Sequence, residues 1–237
     1  TAGFKDAGIE TALCTDFNEA ACTTIKINNP EAKVICGDIT EESIRTAVTS
    51  AVITSGADIV CGGPPCQGFS MAGYRNKDDP RNQLFREFVS VVEAAKPKVV
   101  LFENVEGILT FNGGETYRAI HELFSELGYQ TEGRLLKIDR FGVPQKRKRV
   151  IIICTRLDTG IDPADLYPDE ITVNDDDKIT ASDSIADLER VLCSDDATYE
   201  STPVLSTYNR MLKGRITHSE FLKGLTDKSM ASTEITI

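Results

Sequence analysis

Histidine is nearly missing from this chain. Two occur in 237 residues, and none of the seven cysteines stands in a Cys-x-x-Cys pair. Structural zinc sites need four such ligands at short spacings, so none is expected. No apolar run approaches the roughly 20 residues that cross a bilayer, so no membrane span is expected. The opening Thr1-Ala2-Gly3-Phe4 reads as mid-helix, and no signal peptide is expected. An odd cysteine count in a chain of this size fits a reducing, intracellular compartment. Most of Cys14, Cys22, Cys36, Cys61, Cys154 and Cys193 read as small core or strand residues. There is no internal repeat and no low-complexity segment.

What is present is an ordinary globular balance, 41% hydrophobic and 27% charged, on a length that can bury a full core. The formal net charge of −11 is unevenly spread. Residues 158–200 hold fourteen Asp and Glu against two Lys and Arg, which leaves the rest of the chain at +1. Within that rest, Arg134 to Arg149 carries seven basic residues against one acid, Asp139. Such a strip can meet phosphates, and the acidic stretch is expected elsewhere in space.

Periodicity predicts the tail of a helix ending near Gly8, then a strand over 11–15 ending at Asp16. A helix follows to about Asn28, capped by Asn18 or Asp16. Strand 33–36, helix 41–54 and strand 57–61 complete an alternation that implies a parallel sheet with helices on both faces. Farther on come a helix over 84–95, a strand over 98–102, a helix over 117–127 and strands near 129–137 and 149–154. The intervening stretch 69–83 is polar and glycine-bearing, a loop length that is usually functional. Residues 158–178 read as an acidic linker or surface insertion, with a short helix over 182–192. The predicted class is α/β, a doubly wound, mostly parallel sheet.

In such sheets ligands bind beyond the carboxyl ends of the strands. Here those ends carry Asp16, Asp38, Cys66 and Glu103. Cys66 follows Cys61-Gly62-Gly63-Pro64-Pro65, a run that turns sharply and then stiffens, so it reads as a presented nucleophile. Asp16 with Phe17 suits a nucleoside, the carboxylate accepting ribose hydroxyls and the ring stacking on a purine. Equally, Asp16 could cap a helix while Phe17 packs. Asp38 could accept from an adenine amino group with Ile39 covering the ring, or it could sit in a plain turn. Glu103 ends an apolar strand, where partial desolvation raises proton affinity and lets it share a proton with a ring nitrogen. Strand alternation would put Gln145, Arg147 and Arg149 on one face, an anion or carbonyl clamp. A solvated basic edge is the plainer reading.

Pro64-Pro65-Cys66-Gln67-Gly68-Phe69-Ser70, Glu103-Asn104-Val105 and Gln145-Lys146-Arg147-Lys148-Arg149-Val150 occur in that order. Together they resemble the signature motifs of the DNA (cytosine-5)-methyltransferase family, of the bacterial restriction–modification type. The resemblance covers roughly residues 1–156 and implies a Rossmann-like methyltransferase fold using S-adenosylmethionine, with S-adenosylhomocysteine as product and no metal. It implies that the Cys66 thiolate adds to C6 of a flipped cytosine while Glu103 activates the ring at N3. Arg149 would hold the base O2, and Arg147 would contact the site and the backbone phosphate. Asp16, Phe17, Asp38 and Ile39 would bind the cofactor's ribose and adenine, with Pro65, Leu84 and Asn104 near its methionine end. Gln67, Ser70, Arg81 and Gln145 would face double-stranded DNA, and the stretch 69–83 would be the family's mobile loop. The implied setting is a monomer in the cytoplasm, associated with the nucleoid if bacterial, and away from membranes.

The sequence departs from that pattern in two ways. The family's Phe-x-Gly-x-Gly turn should lie before Thr1, and its late motifs have no counterpart. The expected organisation is therefore a catalytic domain over 1–156 lacking its first strand and glycine loop, an acidic linker over 157–198, and a partial target-recognition region or disordered tail over 199–237. A transfer-RNA cytosine-5 methyltransferase shares these motifs and is the competing expectation. A silent binding relative is opposed by the intact Cys66, Glu103, Arg147 and Arg149. A redox thiol protein is opposed by the lack of a resolving cysteine.

Overall fold

The computed structural model describes residues 2–65, 83–172, 174–185 and Glu220. The chain forms two units, residues 1–134 with 150–166 and residues 135–149 with 167–237. The first unit opens with α1 (Ala2–Asp6), β1 (Leu13–Asp16), α2 (Glu19–Asn28) and β2 (Lys33–Cys36). It continues through α3 (Glu42–Ser55), β3 (Ile59–Gly62), α4 (Gln83–Ala95) and β4 (Val99–Asn104). Then come α5 (Glu115–Glu126), β5 (Tyr129–Lys137) and β6 (Lys148–Arg156), the last two running into the second unit.

Local chemistry sets these boundaries. The Asn18 side chain accepts from the Ala21 amide at 3.0 Å, so Asn18 is the cap of α2. Gly56 ends α3 in the left-handed conformation, which glycine adopts without a Cβ clash. β1 pairs with β2 in parallel, from Leu13 opposite Lys33 to Asp16 opposite Cys36. β3 pairs with β4 in parallel, and β4 with β6 antiparallel from Val99 opposite Thr155 to Asn104 opposite Val150. The α/β class with a mostly parallel arrangement is therefore as the alternation implies.

One feature differs from expectation. Among the described residues the strands form two sheets, β1-β2 and β3-β4-β6-β5, rather than one. Side chains join them instead of ladder hydrogen bonds. Val48 and Val52 of α3 and Val91 of α4 make a core against which Leu13 of β1, Ile35 of β2 and Val60 of β3 all pack. The Arg45–Glu87 ion pair, at 3.0 Å, fastens α3 to α4 above that core.

β4 alternates buried and half-buried positions along its length. Phe102 is fully buried, with Phe85 and Phe88 edge-on at 6.1 and 6.0 Å and Phe124 stacked at 5.9 Å. Each such ring contributes roughly 1.5–3 kcal/mol by burial. This aromatic core fixes the height at which β4 delivers its next residue, Glu103.

Tyr129 extends the cluster, edge-on to Phe124 at 6.0 Å, and its hydroxyl donates to the Pro97 carbonyl at 2.7 Å. Burial pushes its phenol up to about 12, and burial likewise pushes the Cys154 thiol up to about 12. Both groups lose their protons more readily in the unfolded chain, near the ordinary values of about 10 and 8.5. Their contribution is thus complete below about pH 8 and is lost as pH rises through about 12. Urea midpoints are expected to fall across that range, and Tyr129→Phe to lessen the fall.

In the second unit, a short 3-10 helix spans Ile138–Phe141 and ends at Gly142 with φ 73°. Another covers Asp175–Asp177, followed by α6 (Ala181–Ile185); the rest of the helix expected over 182–192 lies outside the described residues. Among the described residues, part of the acidic stretch lies against the basic strip. Arg140 contacts Glu170 and Asp175, and Lys178 contacts Asp139 and Asp175. The expectation fails because it summed charge over the strip without asking which cations point inward.

Candidate active site

The first unit brings its functional groups to the carboxyl ends of β1–β4. β1 ends on Asp16, whose Oδ1 accepts from the Asn18 amide at 2.9 Å. The Asp16 carbonyl accepts from the Gly37 amide at 3.0 Å, which binds the ends of β1 and β2 together. Cys22 of α2 is buried, and its Sγ donates to the same carbonyl at 3.3 Å. Phe17 does not pack; its ring is 76% exposed beside Asp16. A flat apolar surface left in solvent next to a carboxylate suits an aromatic ligand.

Asp38 follows β2 and is exposed; its Oδ1 accepts from the Thr40 amide at 2.9 Å. That hydrogen bond to the charged form holds its carboxyl below the usual value. Ile39 is half-buried and packs against the Val48–Val52–Val91 core. Leu84, in the first turn of α4, is 40% exposed.

β3 delivers the glycine–proline run. A Cβ on Gly62 would lie 2.9 Å from the Phe88 ring, so only glycine fits there. Gly62→Ala is expected to cost about 1–3 kcal/mol by overpacking, read as a lower urea midpoint. A Cβ built on Gly63 would lie 3.6 Å from Glu103 Oε2, so the Glu103 carboxylate rests against the motif backbone. Pro64 is buried and Pro65 exposed.

Asn104 supplies the connection that sequence reasoning missed. It is 8% exposed, its Nδ2 donates to the Pro64 carbonyl at 3.0 Å, and its Oδ1 accepts from the Val105 amide at 3.0 Å. These bonds tie the end of β4 to the proline run. The burial alternation of β4, which turns Asn104 inward after Val100 and Phe102, is the signal that could have found it. Cys66, Gln67, Ser70 and Arg81 lie outside the described residues.

The second unit holds Gln145, Arg147 and Arg149. Gln145 and Arg147 are exposed and Arg149 is half-buried, with its guanidinium donating to the Lys148 carbonyl at 2.8 Å. The strand begins only at Lys148. Before it, the Gln145 amide donates to Val143 and the Arg147 amide to Gln145, both at 2.8 Å. These are tight three-residue turns, so strand alternation does not relate 145, 147 and 149 as the spacing suggested. Pro144 supplies the reason, since it lacks the amide a ladder needs.

Among the described residues no group of three or more His, Cys, Asp or Glu side chains could hold a metal, and no helix is long and apolar enough to cross a membrane. Parallel strands alternating with helices, with carboxylates at the strand ends, define a Rossmann-like α/β fold. A prophage-encoded protein of E. coli described as a DNA modification methyltransferase superposes with a TM-score of 0.61 at 26% identity, over 81% of this chain and 52% of that one. The Dnmt2 methyltransferase of S. pombe, at 20% identity and a TM-score of 0.51 over 65% of this chain and 46% of its own, shares the fold.

The chain belongs to the C-5 cytosine-specific DNA methylase family, whose model matches residues 1–235. It is 41% identical over 157 residues to the type II methyltransferase M1.HphI of Haemophilus parahaemolyticus, covering 64% of this chain and 41% of that protein. It is 39% identical over 165 residues to M.AquIA of Picosynechococcus, covering 65% of this chain and 66% of that protein. The chain thus spans less than two-thirds of the length of these relatives.

Proposed function

We propose that this chain carries the attacking half of a DNA cytosine-5 methyltransferase, acting on a cytosine flipped out of double-stranded DNA. One observation supports this most: the Glu103 carboxylate lies against Gly63 while Asn104 holds the Pro64 carbonyl, two residues before Cys66. The glutamate and the glycine–proline run that precedes Cys66 in the sequence are thereby built onto one frame.

Chemistry on that frame runs as follows. The Cys66 thiolate forms a bond to C6 of the ring, and the displaced electron pair gathers toward C5. Glu103 gives or shares a proton at N3 and so stabilises the charge that the addition creates. S-adenosylmethionine, when bound, supplies the methyl group that C5 accepts and leaves as S-adenosylhomocysteine. Water then takes the C5 proton, the electron pair returns through the ring, the N3 proton goes back to Glu103, and the bond to C6 breaks with Cys66 leaving as thiolate. The exposed ring of Phe17 beside Asp16 fits the adenosine portion of that cofactor, with Asp38 at the neighbouring strand end. Arg149 would hold the base oxygen, Arg147 would contact the phosphate, and Gln145 would face the DNA.

Duplex DNA carrying 5-fluorocytosine tests the reading. Fluorine at C5 blocks the final elimination, so the full-length protein should form an adduct that survives denaturation, with the label mapped to Cys66. Capture of fluorinated transfer RNA instead would transfer the chemistry to RNA. No adduct with either would overturn it.

A further inference from the structure

Seven contacts join the stretch Glu170–Lys178 to Asp139 and Arg140, two residues of the turn between β5 and β6. The Ile171 and Thr172 amides both donate to the Arg140 carbonyl, at 3.0 and 3.1 Å, and the Thr172 hydroxyl donates to the Asp139 carbonyl at 2.8 Å. The Arg140 guanidinium in return donates to the Thr172 carbonyl at 3.0 Å and to Asp175 at 3.1 Å, with Glu170 at 3.9 Å. Lys178 bridges Asp139 at 2.9 Å and Asp175 at 2.8 Å. Thr172 is fully buried, and the side chains of Asp139, Arg140 and Lys178 are only 13%, 17% and 21% exposed. Asp175 is 78% exposed, so the hold rests on the shielded members, Thr172, Asp139, Arg140 and Lys178, whose mutual bonds keep geometry better than exposed pairs do. The Lys178 ammonium accordingly keeps the Asp139 carboxyl below its usual value.

We infer that Thr172, Asp175 and Lys178 are positioning residues for the arginine loop, clamping Asp139 and Arg140 at its base. The loop closes where the clamp acts. The Ile138 amide, one residue before Asp139, donates to the Arg147 carbonyl at 2.9 Å. Holding Asp139 and Arg140 therefore fixes the backbone on which Arg147 returns to the strand. Between these ends the chain makes tight turns at Val143–Arg147. The acidic stretch is then part of the machinery rather than a linker. It also takes Arg140 into an internal network, so that this arginine's charge is spent on Asp175 and Thr172. The inference rests on the reading that Arg147 and Arg149 serve the target base.

Hydrogen exchange and kinetics on the full-length protein test it together. In Lys178→Met and in Thr172→Val, the Ile138 amide is expected to exchange at least tenfold faster, with the amides of β4 unchanged. Methyl transfer to duplex DNA should fall about tenfold in kcat, with KM for DNA altered less than twofold. The salt dependence of DNA binding should keep the wild-type slope, because no phosphate contact is removed. Lys178→Arg and Thr172→Ser, which retain the cation and the hydroxyl, should restore protection and kcat. Unchanged exchange at Ile138 in both disruptive variants would overturn the clamp. So would a shallower salt slope, which would make Lys178 a phosphate contact, or faster exchange with unaltered kcat. If the wild type transfers no methyl group while exchange responds as stated, the clamp stands and the proposed function falls instead.

Discussion

Cys66→Ser is expected to abolish both methyl transfer and the covalent capture of 5-fluorocytosine DNA. Removing a covalent nucleophile from an otherwise intact site costs on the order of 10^6-fold in kcat. Serine keeps the size and the position but not the reactivity. A thiol ionises near pH 8.5 and a site can lower that further, whereas a hydroxyl stays protonated without a strong base beside it. Among the described groups at the end of β3 none is a histidine that could serve as such a base. The substitution exchanges a sulfur for an oxygen and should leave the urea midpoint nearly unchanged. Affinity for duplex DNA and for S-adenosylhomocysteine should also persist. The comparison that decides is capture per bound complex: a serine variant that still forms a denaturation-resistant adduct would remove Cys66 from the reaction.

How far the sequence could have told this varies by residue. The strand-end groups were legible because β-strand periodicity and turn residues are local signals. Asp16, Asp38 and Glu103 end or follow their strands where the apolar runs stop. The role of Phe17 was ambiguous until its exposure was known, since an aromatic after a strand can pack or protrude. Asn104 was legible as polar but not as the anchor of Pro64, because that bond joins residues 40 apart in the chain. The Arg140 network was hidden for the same reason, its partners standing 32 and 35 residues away. Charge counted along the chain even pointed the wrong way, toward separating the acidic stretch from the basic one. The split into two sheets was also beyond reach. Alternation predicts parallel strands but not which neighbours exchange hydrogen bonds, and here α3 bridges β1 and β3 through side chains.

Glu103→Gln is expected to slow methyl transfer by about 10^2–10^3-fold, the scale of losing one group that stabilises charge in a transition state. The substitution is informative because it preserves shape. Glu103 is half-buried at the end of β4 with its carboxylate packed against Gly63, so an amide of the same volume occupies the same place. What the amide cannot do is deliver a proton to N3 when thiolate attack at C6 drives negative charge into the ring. The defect should therefore fall on bond formation and not on binding. DNA affinity should change less than threefold, while the adduct with 5-fluorocytosine DNA should still appear, but over hours rather than minutes. That slow appearance separates Glu103 from Cys66, whose loss should leave no adduct at any time. A Glu103→Gln protein that forms its adduct at the wild-type rate would make the glutamate a mere packing partner of Gly63. The activation of the ring would then have to come from another group.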